Sequence, residues 1–174
     1  MREVEEYWIG QAMELARHAE ASGDVPVGAL VVDPQRDSAA QRALEAVRGW
    51  GDGGIVPAGC GVVLGEGWNT RELDNDPAGH AEIMALRGAA RERGSWRLEG
   101  CDLYVTLEPC TMCAGAIVAA RLRRVVFGAW DPKAGAAGSV RDVLRDSRLN
   151  HQTQVVGGIR DAECARQLRS FFGR

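Results

Sequence analysis

The stretch DLYVTLEPCTMCAGAIVAA, residues 102–120, is the most informative part of this chain for predicting its fold. Its first part, Asp102–Thr106, is mostly apolar, β-branched or aromatic, which predicts a buried strand. A proline and a Cys-x-x-Cys pair, Cys110 and Cys113, come next, and the residues from Thr111 to Ala120 predict a helix. A strand that passes through a short turn into a helix is the building unit of a protein in which helices cover a sheet.

The same alternation of strands and helices extends to both sides of this stretch. Apolar residues fall at helical spacing in some segments and form short β-branched runs in others. Further helices are predicted at Val4–Ala19, His80–Arg93 and Asp161–Phe172, with helical spacing also over Val140–Arg145. Further strands are predicted at Val25–Val32, Gly61–Leu64, Arg124–Phe127 and Thr153–Val156. We therefore expect an α/β protein with three layers around one sheet, in a single domain spanning residues 1–174.

A segment of unusual length, residues 34–59, separates the first two predicted strands, which elsewhere would be joined by a short hairpin. Ser38-Ala39-Ala40-Gln41 has the spacing of a helix-capping box, and Ala43–Val47 can supply one short helical face before a glycine-rich break. We predict a surface insertion with one helix. A disordered loop is the alternative that the sequence leaves open.

The composition restricts the class of protein. Of the 174 residues, 45% are hydrophobic and 26% are charged, which excludes wholesale disorder and fibrous repeats. The longest apolar runs are far shorter than the roughly 20 residues of a membrane span, and the acidic start MREVEEYW is unlike a signal peptide. We therefore expect a soluble, cytoplasmic protein that has no membrane partner.

Charge is distributed unevenly along the chain. The formal net charge is −3, which alone would argue against a nucleic-acid partner. Residues 121–174, however, contain ten arginines and Lys133 against five acidic residues, so this third of the chain is strongly basic. Arginine has a planar fork that suits phosphate binding and base stacking, and a solvated charged face is the alternative explanation.

One histidine and two cysteines have the composition of a metal centre. Five cysteines at uneven spacing argue against a disulfide framework. His80 with Cys110 and Cys113 would provide three ligands to a tetrahedral Zn²⁺ and leave the fourth position for water, as in catalytic sites. Glu82 is a hard carboxylate beside an already ligated metal, so proton transfer is its better use. A structural zinc site or chance core cysteines are the alternatives. Small buried apolar positions are expected for Cys60, Cys101 and Cys164.

These residues resemble the zinc-dependent nucleobase deaminases, whose signature is H-x-E followed by P-C-x-x-C. The signature stands here as His80-Ala81-Glu82 and Pro109–Cys113. The resemblance is specifically to the bacterial tRNA-specific adenosine deaminases of the cytidine/deoxycytidylate deaminase superfamily, and it covers nearly the whole chain except residues 34–59. It is carried by Val25–Ala29, Gly65–Asn69, Asp76–Pro77, His80–Arg87, Leu103–Ala116, Arg124–Ala129, Gly135–Ser139, Asn150–His151 and Phe171–Phe172.

The resemblance implies a cytidine-deaminase-like three-layer α/β/α sandwich around one mixed sheet. It implies hydrolytic deamination of adenosine to inosine at the wobble position of a tRNA anticodon, in a homodimer with one Zn²⁺ per subunit. His80, Cys110 and Cys113 would hold the metal, and Glu82 would carry protons. The substrate-binding residues it implies, for an anticodon stem-loop partner, are Asn69 at the flipped-out nucleoside, Asp131 and Lys133 at the anticodon strand, and Phe171 and Phe172 beside the groove.

Some positions depart from the family pattern, and other functions stay open. Gly79, the pair Ala119-Ala120, Trp130 and Pro132 are unusual, and Trp130 would exchange a phosphate contact for a stacking surface.

A deaminase of a free base or nucleotide, such as guanine or cytosine, is one alternative function. A non-catalytic zinc fold that binds RNA or a protein is another, although binding alone gives no reason for Glu82. The basic C-terminal third favours an RNA substrate.

Overall fold

The computed structural model describes residues 2–36, 57 and 59–173, which form five helices and five strands. The helices are α1 (Arg2–Ser22), α2 (Arg71–Asp74), α3 (Ala81–Arg93), α4 (Thr111–Ala119) and α5 (Asp161–Phe172). The strands are β1 (Gly28–Asp33), β2 (Val62–Trp68), β3 (Asp102–Leu107), β4 (Arg124–Ala129) and β5 (Gln154–Val156). Within these residues, no helix combines the length and apolar character needed to cross a bilayer.

The strands form one mixed sheet in the order β2-β1-β3-β4-β5. Strand β1 runs antiparallel to β2 and β3, whereas β3, β4 and β5 are parallel. Leu107 and Ala129, the last residues of β3 and β4, are partners in the ladder. The segments that follow these two strands therefore begin side by side, at the edge where α/β proteins usually bind ligands.

Helices cover both faces of the sheet, which confirms the expected three layers. One core joins the sheet to α3 and α4 and contains Ala85, Ile117 and Phe127. The core on the other face joins the sheet to α1 and contains Trp8 and Leu15, with α5 contributing a buried cysteine. Each face buries a continuous apolar surface, as a sheet between two helical layers requires.

Helix α3 packs unusually close to β2 because β2 contains two glycines. A Cβ atom at Gly65 would collide with the backbone carbonyl oxygen of Ala85, and one at Gly67 would collide with that of Ala81. Only glycine can therefore occupy these two positions without pushing the helix outwards. This contact fixes the N-terminus of α3, with His80 directly before it, against the sheet.

Most predicted elements are confirmed, but one predicted helix is wrong. The helix over Asp161–Phe172 is present with those limits, whereas Val140–Arg145 forms turns. The backbone N–H of Val143 donates to Ala136 O at 2.9 Å, and that of Arg141 donates to Gly135 O at 3.1 Å. The hydrogen bonds of this segment are thus made to a preceding loop, and not along a helix.

Smaller differences concern β2, the start of β1 and the loop after β2. The strand predicted over Gly61–Leu64 spans Val62–Trp68. The strand predicted from Val25 begins only at Gly28. The loop from Asn69 to Gly79 contains the short helix α2, which the sequence did not predict. The carboxylate of Asp24 accepts hydrogen bonds from the backbone N–H groups of Glu72, at 2.8 Å, and Leu73. A residue 48 positions away therefore supports this turn.

The predicted insertion, residues 34–59, lies almost entirely outside the described residues, as does its predicted helix. The strands on either side of it are nevertheless joined in register, because Asp33 and Val62 are partners in the β1–β2 ladder. Cys60 is part of the core, where its carbonyl oxygen accepts a hydrogen bond from the Trp8 indole at 3.0 Å. A short turn followed by Cys60 and Gly61 could therefore close the hairpin.

We expect replacement of residues 34–59 by a short Asn-Gly turn to leave the metal content and the fold unchanged. The paired ends of β1 and β2 already lie next to each other, and two-residue turns suit antiparallel strands. Metal analysis and a thermal melt of the shortened protein would check this. Loss of cooperative melting would show instead that the segment contributes to the core.

Candidate active site

The structure brings His80, Cys110 and Cys113 together as a three-residue cluster that could hold a metal ion. Their candidate ligand atoms all lie within 4.8 Å of one another. His80 Nδ1 is 3.7 Å from the Cys110 sulfur and 3.5 Å from the Cys113 sulfur. A tetrahedral Zn²⁺ with usual bond lengths holds nitrogen and sulfur ligands about 3.6 Å apart. The donor atoms and their separations therefore fit a zinc ion.

All three side chains are placed at the starts of helices. His80 occupies the N-cap position of α3, Cys110 occupies that of α4, and Cys113 lies in the first turn of α4. Unpaired N–H groups and the positive end of the helix dipole favour negative charge there. Hydrogen bonds with Cys113 and His80 lower the pKa of the Cys110 thiol well below its usual range. The cluster is thus suited to binding a cation through a thiolate.

Glu82 lies beside the cluster but is not part of it. It is in the first turn of α3, and only 4% of its surface is exposed. Burial raises the pKa of the Glu82 carboxyl to about 7. An acid with a pKa near the working pH can both accept and donate a proton, which is the property of a general acid–base group.

A cavity of about 610 Å³ opens above this cluster, which is within the usual range for small-ligand sites. Three of the predicted substrate-binding residues, Asn69, Asp131 and Phe171, line it together with His80 and Glu82. Lys133 and Phe172 are not among the lining residues. A larger groove of about 1030 Å³ lies between α1 and the start of α5, but none of the metal-ligand candidates borders it.

The two predicted residues outside the cavity wall lie close to residues that form it. Lys133 is exposed, and its backbone N–H donates to the Asp131 carboxylate at 2.9 Å. Phe172 is 69% exposed, and its ring packs edge-on against that of Phe171, with 5.3 Å between the ring centres. One phenylalanine therefore faces the cavity and the other faces solvent.

Asn69 connects the start of α3 to the segment that leads into β1. Its side-chain oxygen accepts a hydrogen bond from Ala81 N–H at 3.0 Å, and its side-chain nitrogen donates to Val25 O at 2.9 Å. A side-chain amide has two N–H donors and two acceptor lone pairs. One donor and one acceptor of Asn69 therefore stay available for a ligand in the cavity.

Four charged residues border the cavity without having been singled out from the sequence: Asp24, Arg71, Glu72 and Glu108. Asp24 lies between α1 and β1, and Arg71 and Glu72 begin the short helix α2. No local pattern distinguishes these three from solvated residues. Glu108 stands directly before the Pro109-Cys110 pair, so its position at the end of a buried strand was a usable signal.

A mixed sheet between two helical layers, with a His/Cys/Cys cluster that fits a metal ion and a buried glutamate two residues after the histidine, defines a deaminase. The chain belongs to the MafB19-like deaminase family, whose model matches residues 4–166. It is 42% identical to the tRNA-specific adenosine deaminase of Haemophilus influenzae, over 98% of this chain and 84% of that protein.

Two solved deaminase structures are also similar to this chain. A tRNA:A34 deaminase studied for A-to-I editing at the wobble position of transfer RNA is 35% identical, with a TM-score of 0.74. That match covers 92% of this chain and 98% of the other. The guanine deaminase of Bacillus subtilis is 32% identical with a TM-score of 0.54, over 76% of this chain and 69% of that one.

Proposed function

We propose that this chain hydrolytically deaminates adenosine to inosine at the wobble position of a tRNA anticodon. The observation that carries the proposal is the buried Glu82 carboxyl beside the His80, Cys110 and Cys113 cluster, at a cavity large enough for a nucleoside. The likeness to tRNA adenosine deaminases and the basic C-terminal third support an RNA substrate. Unpaired bases of an RNA loop can be turned out into such a cavity.

The residues of the site divide the chemistry between them. Zn²⁺ held by His80, Cys110 and Cys113 would supply a Lewis acid that makes water nucleophilic near neutral pH. Glu82 takes a proton from the attacking water and gives it to the ring nitrogen beside C6. It then takes the second proton from the hydroxyl group now attached to C6 and gives it to the departing amine, so that adenosine and water become inosine and ammonia.

The remaining cavity residues position the nucleoside and its strand. Asn69 offers its free donor and acceptor to the base or ribose, and Phe171 presents a ring beside it. Asp131 and Lys133 extend this surface towards the neighbouring nucleotides. Phe172 and the arginines of the C-terminal third provide the stacking and positive charge that single-stranded RNA requires.

A homodimer is the assembly that we propose for this enzyme. Helix α4 exposes a row of apolar and small residues on its outer face, namely Met112, Gly115 and Ala119. A Cβ atom at Gly115 would meet nothing within 4 Å, so this face is open to another surface. The resemblance to a dimeric family and this helix face together support a contact between two copies.

We expect Ala119→Arg to convert the dimer to a monomer, because a buried unpaired charge opposes association. Light scattering should then report a mass near the 18.7 kDa of one chain. Glu3→Arg, an equally exposed change on α1, is the matched control and should stay dimeric. A monomeric wild-type protein would contradict the proposal.

A second candidate function is deamination of a free purine, favoured by the likeness to the Bacillus subtilis guanine deaminase. Incubation with an anticodon stem-loop, adenosine, guanine and cytosine in parallel separates the two. We expect inosine from the stem-loop and little product from the free compounds. Activity on a free base alone would contradict the tRNA proposal, and bound metal without activity would favour a non-catalytic fold.

We further propose that the chain works as one domain in the cytoplasm. The five cysteines all lie in the part of the chain that the structure describes, and none of them forms a disulfide bond, as expected in a reducing compartment. Both core clusters draw on the same sheet, which supports a single folding unit. A single cooperative melting transition, and recovery of the protein in the soluble cell fraction, would test these two statements.

A further inference from the structure

A buried carboxylate lies between the metal cluster and the loop that borders the cavity. Glu108 follows β3 and precedes Pro109 and Cys110, and only 2% of its surface is exposed. Its side chain accepts hydrogen bonds from the backbone N–H groups of three residues. They are Asp131 at 2.9 Å, Ala137 at 3.0 Å and Ser139 at 3.0 Å.

The three hydrogen bonds to Glu108 all come from one loop. A carboxylate group offers only acceptor atoms, and this one accepts three backbone N–H groups. The Glu108 side chain is therefore used to organise backbone.

We call this loop, residues 131–139, the substrate loop. It wraps around the Glu108 side chain. Asp131 O accepts hydrogen bonds from the Ser139 hydroxyl at 2.7 Å and from Gly135 N–H at 3.0 Å. A Cβ atom at Gly135 would collide with the Glu108 carboxylate, so the loop follows the surface of this side chain. The shape of the substrate loop is thus set by a residue outside it.

The segment that contains Glu108 also contains a candidate metal ligand, Cys110. Cys110 forms an isolated bridge with Gly135, and Ala136 N–H donates to Pro109 O at 2.8 Å. Asp131 and Ala134 of the substrate loop line the cavity that contains Glu82. One wall of the cavity is therefore held at a defined distance from the metal cluster through Glu108–Cys110.

We propose that Glu108 is a positioning residue that fixes the substrate loop relative to the metal cluster, so that RNA meets a preformed cavity wall. This inference rests on the proposed function, because the substrate loop contains Asp131 and Lys133, which would contact the anticodon strand. Glu108 acts through the three loop amides, since these occupy its carboxylate oxygens. Preformed recognition surfaces lower the cost of ordering on binding.

The test is the isosteric substitution Glu108→Gln. A glutamine side chain presents N–H groups where one carboxylate oxygen accepted, so at least one loop amide loses its acceptor. We expect KM for the stem-loop to rise about tenfold while kcat changes by less than about threefold and the metal content stays constant. Amide hydrogen exchange at Asp131, Ala137 or Ser139 should accelerate by a factor on the order of 10 to 100.

Asp102→Asn is the matched control, because Asp102 is a buried carboxylate at the opposite end of the same strand. It binds Arg123 at 2.6 Å and Arg124 at 2.9 Å, far from the cavity residues along β3. This variant should melt at a lower temperature and keep the wild-type KM. An equal rise of KM in both variants, or an unchanged KM and exchange pattern in Glu108→Gln, would overturn the proposal.

A measurement on the wild-type protein covers the case in which Glu108→Gln fails to fold. Ser139 is exposed, yet its N–H donates to Glu108, so we expect this amide to exchange more slowly than in an unfolded peptide. Exchange at the unfolded rate would overturn the proposal. If the wild-type enzyme failed to deaminate the stem-loop, the proposed function would be contradicted. That outcome can be told apart from a failure of the Glu108 proposal, because the measurement of amide exchange needs no substrate.

Discussion

Glu82→Ala should keep its metal and lose turnover on an anticodon stem-loop by a factor on the order of 10² to 10⁴. The side chain is not one of the three clustered ligands, so binding of the ion does not depend on it. Its carboxyl is buried next to the cluster, and an alanine side chain has no group that can accept or donate a proton there. Saturating kinetics of inosine formation, together with metal analysis, measure the two effects separately.

The control for this substitution is Glu92→Gln, which removes an exposed carboxylate from the same helix. It should leave both kcat and the metal content at the wild-type level. If Glu82→Ala lost its metal, Glu82 would have to be counted as a ligand. If it retained full turnover, another group would have to carry the proton.

We expect Cys113→Ala to lose the metal, to lose turnover by at least about 10³-fold, and to melt at a lower temperature. Cys113 is fully buried and approaches the His80 ring nitrogen at 3.5 Å, so its loss leaves two ligands at the start of two different helices. Two ligands do not make a tetrahedral site that retains Zn²⁺. Metal content, activity and melting temperature should therefore fall together.

Cys164→Ala is the matched control for this experiment. Cys164 is also buried and free, but it lies on α5 against the other core. Burial raises the pKa of the Cys164 thiol to about 11, so this residue stays a neutral thiol at neutral pH. The variant should keep its metal and its activity. Equal metal loss in both variants would mean that general destabilisation, and not ligand removal, explains the result for Cys113.

Secondary structure was predictable wherever an amphipathic or β-branched pattern stood alone. Helix α5 has the predicted limits, and α3 begins one residue later than expected, because regular spacing of apolar residues reports directly on a buried face. The helix expected over Val140–Arg145 is absent because this segment bonds to the substrate loop. The short helix α2 was missed because its support comes from Asp24, which is distant in sequence.

The candidate site residues could be predicted from the sequence to about the same extent as the secondary structure. Cys110 and Cys113 stand in a local motif after a strand, and His80 and Glu82 begin a predicted helix, so residue type and spacing were enough to select them. Arg71 and Asp24 reach the cavity only through the path of the loops, which has no periodic signal. Lys133 and Phe172 were selected by resemblance, and in the structure they lie beside the cavity wall and not in it.

The fold class, the candidate metal ligands and the residue proposed to move protons could all be predicted from the sequence. These properties depend on residue chemistry and on short-range spacing, which a chain carries before it folds. Three features became visible only in the folded protein. Glu108 accepts hydrogen bonds from the substrate loop, Gly65 and Gly67 allow α3 to approach the sheet, and one of two adjacent phenylalanines faces the cavity. Such hydrogen bonds and close contacts join segments that are distant in sequence, and they depend on how strands pair and helices pack, which local patterns do not contain.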